Sequence, residues 1–237
     1  MRSGSISKGR SVSRSYRFLE VVTGLFVAVL LISNVASTKF VTFGPFDFDG
    51  GTLLFPLSYI FGDILTEVYG YSRSRKVIWT GFLSALLMSL TFAVVGALPP
   101  SAGTEPLNSA FNQLLGLVPR IVIASLIAYF VGEFANSYTL AKLKLLTDGR
   151  HLWARALGST VVGQGVDTLL FVVIAFAGVA GAPPLATVMI SNYVFKLAVE
   201  LLLLPLTYLT VNALKRAEQE DYFDRHTNFN PFQVWQS

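Results

Sequence analysis

The 237-residue chain contains no cysteine. That removes a disulfide framework, a thiolate nucleophile and a cysteine-ligated metal from consideration. Charge is scarce as well. Asp, Glu, Lys and Arg make up 14% of the chain, against about a quarter in a soluble domain. With hydrophobic residues at 53%, too little charge remains to cover a water-facing surface, so the lipid bilayer is the expected solvent. Histidine occurs only as His151 and His226, both in segments expected to be cytosolic. This disfavours a buried Ser–His hydrolase and a histidine-ligated metal centre. The phosphate-loop pattern G-x-x-x-x-G-K-[ST] is missing, so the chain is not expected to hydrolyse ATP itself. No enzymatic role, cofactor or metal is expected. The net charge of +4 is not gathered on one surface, and no nucleic-acid partner is expected.

What the chain has in abundance is long apolar stretches. A spanning helix needs about 20 mostly apolar residues, because the hydrocarbon layer is about 30 Å thick. Six stretches qualify, roughly 18–38, 52–69, 77–98, 120–141, 154–180 and 185–214. The last is overlong and contains Pro205. The expected fold is an all-α membrane protein with six transmembrane helices. Residues 1–17 are expected as a disordered basic tail, 18–214 as the membrane domain and 215–237 as a C-terminal tail. Fifteen of the 18 Lys and Arg fall in 1–17, 70–76, 142–155 and 215–237, which puts both termini in the cytosol by the positive-inside rule. Six crossings give the same parity. The first span is read as a retained helix rather than a cleaved signal peptide. Segment 105–117 has no Lys or Arg and is expected as a short external loop or surface helix. Three spans plus three would fit an inverted repeat. The acidic run Glu218, Glu220, Asp221 and Asp224 reads as solvated tail.

Several polar residues interrupt the spans. A charged side chain inside a bilayer costs about 2.5–3.5 kcal/mol on insertion scales, so each needs a reason. Tyr59, Asp63 and Glu67 recur every four residues and form one stripe on the second helix. The fourth span begins with Arg120 and carries Glu133 and Asn136; the fifth carries Gln164, Asp167 and Thr168 on one face. Asn192, Lys196 and Glu200 line the sixth, and Asn34 lies near the outer end of the first. Asp63, Glu133, Asp167 and Lys196 come out roughly 16–20 Å from their helix ends, near the midplane. Interhelical pairing would account for one or two such residues. Five acids (Asp63, Glu67, Glu133, Asp167, Glu200) against Lys196 and the shallower Arg120 point instead to a polar cavity.

An ionised carboxylate only accepts hydrogen bonds, and its two oxygens match two adjacent N–H donors. A guanine-like edge presents such a pair, with Asn34 and Gln164 suited to mixed positions and Arg120 or Lys196 to a carbonyl or cyano group. Phe55, Tyr59, Phe171 and Phe195 could face a flat ring, though most of the 19 Phe pack or meet lipid. A basic amine or cation would suit the acids equally well, and both readings stay open on chemistry alone.

The combination of motifs carries a resemblance. Ser33-Asn34, Phe55-Pro56, the run Gly62-Asp63-Ile64-Leu65-Thr66-Glu67-Val68-Tyr69-Gly70-Tyr71, Arg120, Gln164 with Asp167-Thr168, and Phe195-Lys196 together resemble the queuosine precursor transporter family, also called the vitamin uptake transporter family. The resemblance covers about residues 18–214, and G-D-x-x-T-E-V-Y-G-Y is its most specific part. It implies uptake of 7-deazaguanine bases, 7-cyano-7-deazaguanine in particular, through the bacterial inner membrane to supply queuosine tRNA modification. It implies Asn34, Asp63, Arg120, Gln164, Asp167 and Lys196 as the first substrate-binding candidates and Glu67, Glu133 and Glu200 as the second. The family is also distantly similar to the six-helix substrate-binding subunits of energy-coupling-factor transporters. That leaves open a separate energising ATPase module, or another vitamin-like cargo. Expected partners are a nucleobase-like small molecule and the bilayer, with protons as a candidate coupling ion and a second copy of the chain as a candidate partner.

Overall fold

The computed structural model describes residues 16–146 and 152–219. Within its helices the side chains of 59, 63, 66–67, 71, 133–134, 137–138, 140–146, 152–156 and 204 lie outside the description. Expectations for the N-terminal tail 1–15, the C-terminal stretch 220–237 and the side chains of Tyr59, Asp63, Glu67 and Glu133 therefore fall outside the described residues.

Seven α-helices occur among the described residues: α1 (Leu19–Ala36), α2 (Phe55–Tyr69), α3 (Tyr71–Gly96), α4 (Glu105–Leu115), α5 (Val118–Leu146), α6 (Leu152–Phe176) and α7 (Leu185–Glu218). Five segments are long and apolar enough to cross a membrane: Leu19–Ala36, Ser72–Gly96, Glu105–Gly132 ending inside α5, Leu157–Phe176 and Leu185–Leu203. The chain is a multi-pass, mostly helical membrane protein. The short α4 buries no side chain, as a surface helix should. It separates α1–α3 from α5–α7. α7 runs through Pro205 without a break for 34 residues, about 51 Å, and extends to Glu218, four residues into the expected tail.

The second expected span departs from the sequence reading. α2 has 15 residues, about 22 Å of helix, too short to cross an ~30 Å layer unaided. Ahead of it the chain folds into an antiparallel hairpin, β1 (Phe40–Phe43) and β2 (Phe46–Asp49), followed by a 3-10 helix at Gly50–Leu53. The hairpin pairs Phe40 with Asp49, Val41 with Phe48, Thr42 with Asp47 and Phe43 with Phe46. Its two-residue turn is Gly44-Pro45, with Gly44 at φ 59°. Proline cannot take a positive φ, so only the hairpin turn with glycine first fits. The architecture is thus mostly helical, as the all-α reading expects, with one short two-stranded hairpin among the described residues.

Packing explains why the insertion is tolerated. Backbone that is neither helix nor barrel survives at membrane depth only when buried in protein. Phe48 is buried and sits edge-on to Phe195 of α7, with ring centroids 5.2 Å apart, and Phe40 meets Phe176 of α6 at 4.9 Å. Gly50 and Gly51 press on the end of α1. A Cβ at Gly50 would lie 2.6 Å from the Ala36 carbonyl oxygen, and one at Gly51 would collide with the Ser37 hydroxyl. One apolar core joins Val22, Phe26 and Leu30 of α1 to Ile64, Leu65 and Val68 of α2, Val77 of α3 and Val211 of α7. A second joins Ile121, Ala124 and Ala128 of α5 to Phe171, Val172 and Phe176 of α6 and Val188 of α7.

Candidate functional site

The polar faces of α6 and α7 meet. These helices run antiparallel, and each polar residue on α7 finds its partner one rung further along. Glu200 is hydrogen-bonded by the side chains of Thr160 and Gln164. One turn on, Lys196 Nζ lies 2.8 Å from Asp167 Oδ2 and 3.4 Å from Thr168 Oγ1. One turn further, Asn192 Nδ2 donates to Asp49 Oδ2 at 2.6 Å. Here the acceptor comes from the hairpin, because α6 offers Phe171 at that level. Spacing of three and four residues along both helices is what lines these groups up.

The middle rung is the most polar and among the most enclosed. Lys196 is 3% exposed and Asp167 4%. Removing either charge alone would strand the other, whereas together they offset each other's desolvation. The Lys196 ammonium also stands 4.7 Å from the centre of the Phe55 ring and 5.9 Å from that of Phe171, within cation–π range. Phe55 is brought there as the first residue of α2, so the shortened helix delivers an aromatic face directly to the ion pair. α5 closes on α6 through two glycines. A Cβ at Gly132 would lie 2.8 Å from Asp167 Cβ, and one at Gly163 would lie 2.7 Å from Asn136 Cβ. This approach sets Asn136 beside the same face of α6.

Four amide oxygens are buried and accept no hydrogen bond from the described residues: Gln164 Oε1 and Asn192 Oδ1 on the ladder helices, Asn136 Oδ1 beside Gly163 of α6, and Asn34 Oδ1 on α1. They come from α1, α5, α6 and α7. The Asn34 nitrogen is spent on Leu30 O, at 2.8 Å. Buried polar atoms nearly always find a partner, so a set of free acceptors is a feature a hydrogen-bond donor would complete. The ladder is buried at Asp167, Gln164, Asn192 and Lys196 and half-buried at Thr160 and Glu200. Two grooves of about 420 and 400 Å³ lie on the α1–α3 flank and are lined by other residues.

The remaining expected residues have other duties. Arg120, in the first turn of α5, donates from Nε to Ile174 O and from Nη2 to Ala177 O, both at 2.6 Å. It thereby satisfies carbonyls that the end of α6 leaves without helical partners. Phe195 holds the hairpin through Phe48. The structure thus brings Gln164, Asp167, Lys196, Glu200 and Phe55 together and assigns Arg120 and Phe195 contacts at the outer rim.

Asp49 was not singled out from the sequence. It is 1% exposed and accepts from Thr52 N (3.2 Å), Thr52 Oγ1 (2.7 Å), Ser37 Oγ (2.7 Å) and Asn192 Nδ2 (2.6 Å). An aspartate ahead of Gly50-Gly51-Thr52 is a capping signal that could have found it. Glu218, expected in solvent, is buried too. Its carboxylate accepts from Arg17 N (2.9 Å), Phe18 N (2.7 Å) and Tyr69 Oη (3.0 Å). It caps the start of α1 from the end of α7.

Comparison with known proteins fits this architecture. Residues 49–210 match the family described as putative vitamin uptake transporter. The chain is 32% identical over 160 residues to a probable queuosine precursor transporter of Bacillus subtilis, covering 67% of this chain and 69% of that one. It is 30% identical over 173 residues to a probable queuosine precursor transporter of Haemophilus influenzae, covering 71% of each. The queuosine precursor transporter of Escherichia coli is 26% identical over 166 residues, 70% of this chain and 72% of that one. No solved structure matches. With a family match over most of its length and relatives of that identity, the chain belongs to the vitamin uptake transporter family, the family of the queuosine precursor transporters.

Proposed function

We propose that the chain imports queuosine precursors, 7-deazaguanine bases such as 7-cyano-7-deazaguanine, across the bacterial cytoplasmic membrane through the α6–α7 ladder. The observation that carries this reading is a buried Lys–Asp pair on the same two helices as the Gln164 and Asn192 amide oxygens, which are buried and accept nothing from the described residues. A deazaguanine base brings N–H donors on its pyrimidine and pyrrole edges. Gln164, Asn34 and Asn136 supply acceptors for them, and a carboxylate at Asp167 or Asp63 takes the paired donors in bidentate fashion. Lys196 has three N–H donors, of which Asp167 and Thr168 take two, leaving one able to meet a carbonyl or cyano group. Phe55 and Phe171 flank the ammonium and offer a flat ring its faces.

The same proposal includes both termini in the cytosol and a second crossing completed by hairpin, 3-10 helix and α2 together. Sites at broken helices near the midplane suit alternating access by two rocking halves. A carboxylate of the cluster is the candidate carrier of a coupling proton, and Glu67 and Glu133 belong to the proposed lining. The chain is proposed to act without a separate ATPase module.

The test is uptake by purified protein in liposomes. Accumulation of labelled 7-cyano-7-deazaguanine without any partner protein is expected, with guanine and unlabelled precursor as competitors. Accumulation only after an ATPase module is added would instead make the chain a binding subunit. A ligand panel of bases, amines and ions, read by thermal shift, checks the cargo class. Stabilisation by an amine or cation but by no base would overturn the reading.

A further inference from the structure

The ladder's outermost rung carries a residue pair whose geometry fixes a hydrogen-bonding polarity. Asn192 is 0% exposed. Its Nδ2 donates to Asp49 Oδ2 at 2.6 Å, and its Oδ1 is buried and accepts nothing from the described residues. An amide can present either end to a neighbour, but an ionised carboxylate can only accept. Asp49 is itself held rigidly. Thr52 gives it a backbone N–H and a hydroxyl, Ser37 gives a second hydroxyl, and the glycine pair after it lets the 3-10 turn close against α1. The carboxylate therefore forces the nitrogen of Asn192 toward the hairpin and the oxygen away from it. That oxygen sits one helical turn from Lys196, on the same face of α7.

We infer that Asn192 is a further substrate-contacting acceptor and that Asp49 is its positioning residue, locking the amide with its oxygen toward an N–H donor of the ligand. The inference rests on the proposed transport function and adds two residues to its site. It also gives the hairpin a role beyond packing: the group that orients a ligand contact rides on it.

Polarity makes this testable. In Asp49→Asn the new amide would donate to Asn192, so Asn192 would turn its oxygen to the hairpin and its N–H groups to the ligand. The half-saturating concentration for the base is expected to rise about ten-fold, the loss of one well-made hydrogen bond, with maximal rate per folded protein little changed. The swapped pair Asp49→Asn with Asn192→Asp restores both features. Asn at 49 donates, one oxygen of Asp at 192 accepts from it, and the other still faces the ligand. Affinity should return to within about three-fold of wild type. A pair that merely staples the hairpin would lower protein amount and thermal midpoint in Asp49→Asn without moving the half-saturating concentration. That result, or a swap no better than Asp49→Asn alone, overturns the inference. Failure of the wild-type protein to take up the base refutes the transport reading itself. Wild-type uptake with unchanged affinity in Asp49→Asn refutes only the role given to the pair.

Discussion

Two buried carboxylates, Glu218 at the end of α7 and Asp167 in the middle of the ladder, are used in opposite ways. Glu218 takes two backbone N–H groups from the start of α1 and the hydroxyl of Tyr69. Arg73 adds a hydrogen bond to Tyr69 O at 2.8 Å and lies over the ring of Tyr16, which itself packs edge-on to Tyr69. These N–H and O–H donors and the rings beside them tie the end of α7 to the start of α1 and to α2. Asp167 instead faces an ammonium, on helices whose Gln164 and Asn192 amide oxygens accept nothing from the described residues. A saturated network spends its capacity on holding the fold. An unsaturated one keeps capacity for something that is not always present. The contrast separates a structural staple from the proposed binding site within one chain.

Breaking the ion pair should have the largest effect. Lys196→Met leaves Asp167 buried without its cation, a change worth about 3–5 kcal/mol of stability, and uptake should vanish. The double variant Lys196→Met with Asp167→Leu is expected to regain most of that stability, because an apolar pair can replace a buried ionic one, while uptake stays lost. Thermal unfolding in detergent beside liposome uptake reads both. Restored transport in the double variant would make the pair structural only.

At the staple the effects should be smaller and of the other kind. Glu218→Ala removes the capping acceptor of two N–H groups and a partner of Tyr69, for about 2 kcal/mol. Transport per folded molecule should keep its half-saturating concentration. A large loss of affinity would show that the two networks are coupled rather than separate.

Smallest in stability, and so the sharpest discriminator, is Gln164→Leu. It removes an acceptor that has no donor among the described residues, so thermal stability should change little, the loss of its interaction with Glu200 being offset by the end of an unsatisfied group. Affinity for the base should nevertheless fall about ten-fold. The combination of intact stability and weakened binding is what a ligand contact predicts, and a buried filler residue does not.

The parts of this arrangement differ in how far the sequence reveals them. Asn192, Lys196 and Glu200, spaced by four, and Gln164, Asp167 and Thr168 within one turn, announce two polar helix faces, and the faces do meet. Regular helices carry their geometry in residue spacing, so that reading needs no tertiary information. The segment 39–54 does not work that way. Phe46-Asp47-Phe48-Asp49 alternates after Gly44-Pro45, yet a strand of four residues is too short to outweigh the apolar runs on either side. Its place against the bundle is decided by contacts with α1, α6 and α7, among them Phe48 on Phe195 and Asp49 with Asn192. The same limit applies to Glu218. Local charge makes 215–224 look like solvated tail, and only the distant N–H groups of Arg17 and Phe18 bury it.

The measurement that bears most directly on the polar ladder as a substrate site is uptake of labelled 7-cyano-7-deazaguanine by cells unable to make the base. Wild-type chain and an Asp167→Asn variant should be present at matched membrane levels. Strong accumulation by the wild type and little or none by the variant is the expected result. Equal accumulation by the two would contradict the assignment of the site to the α6–α7 ladder.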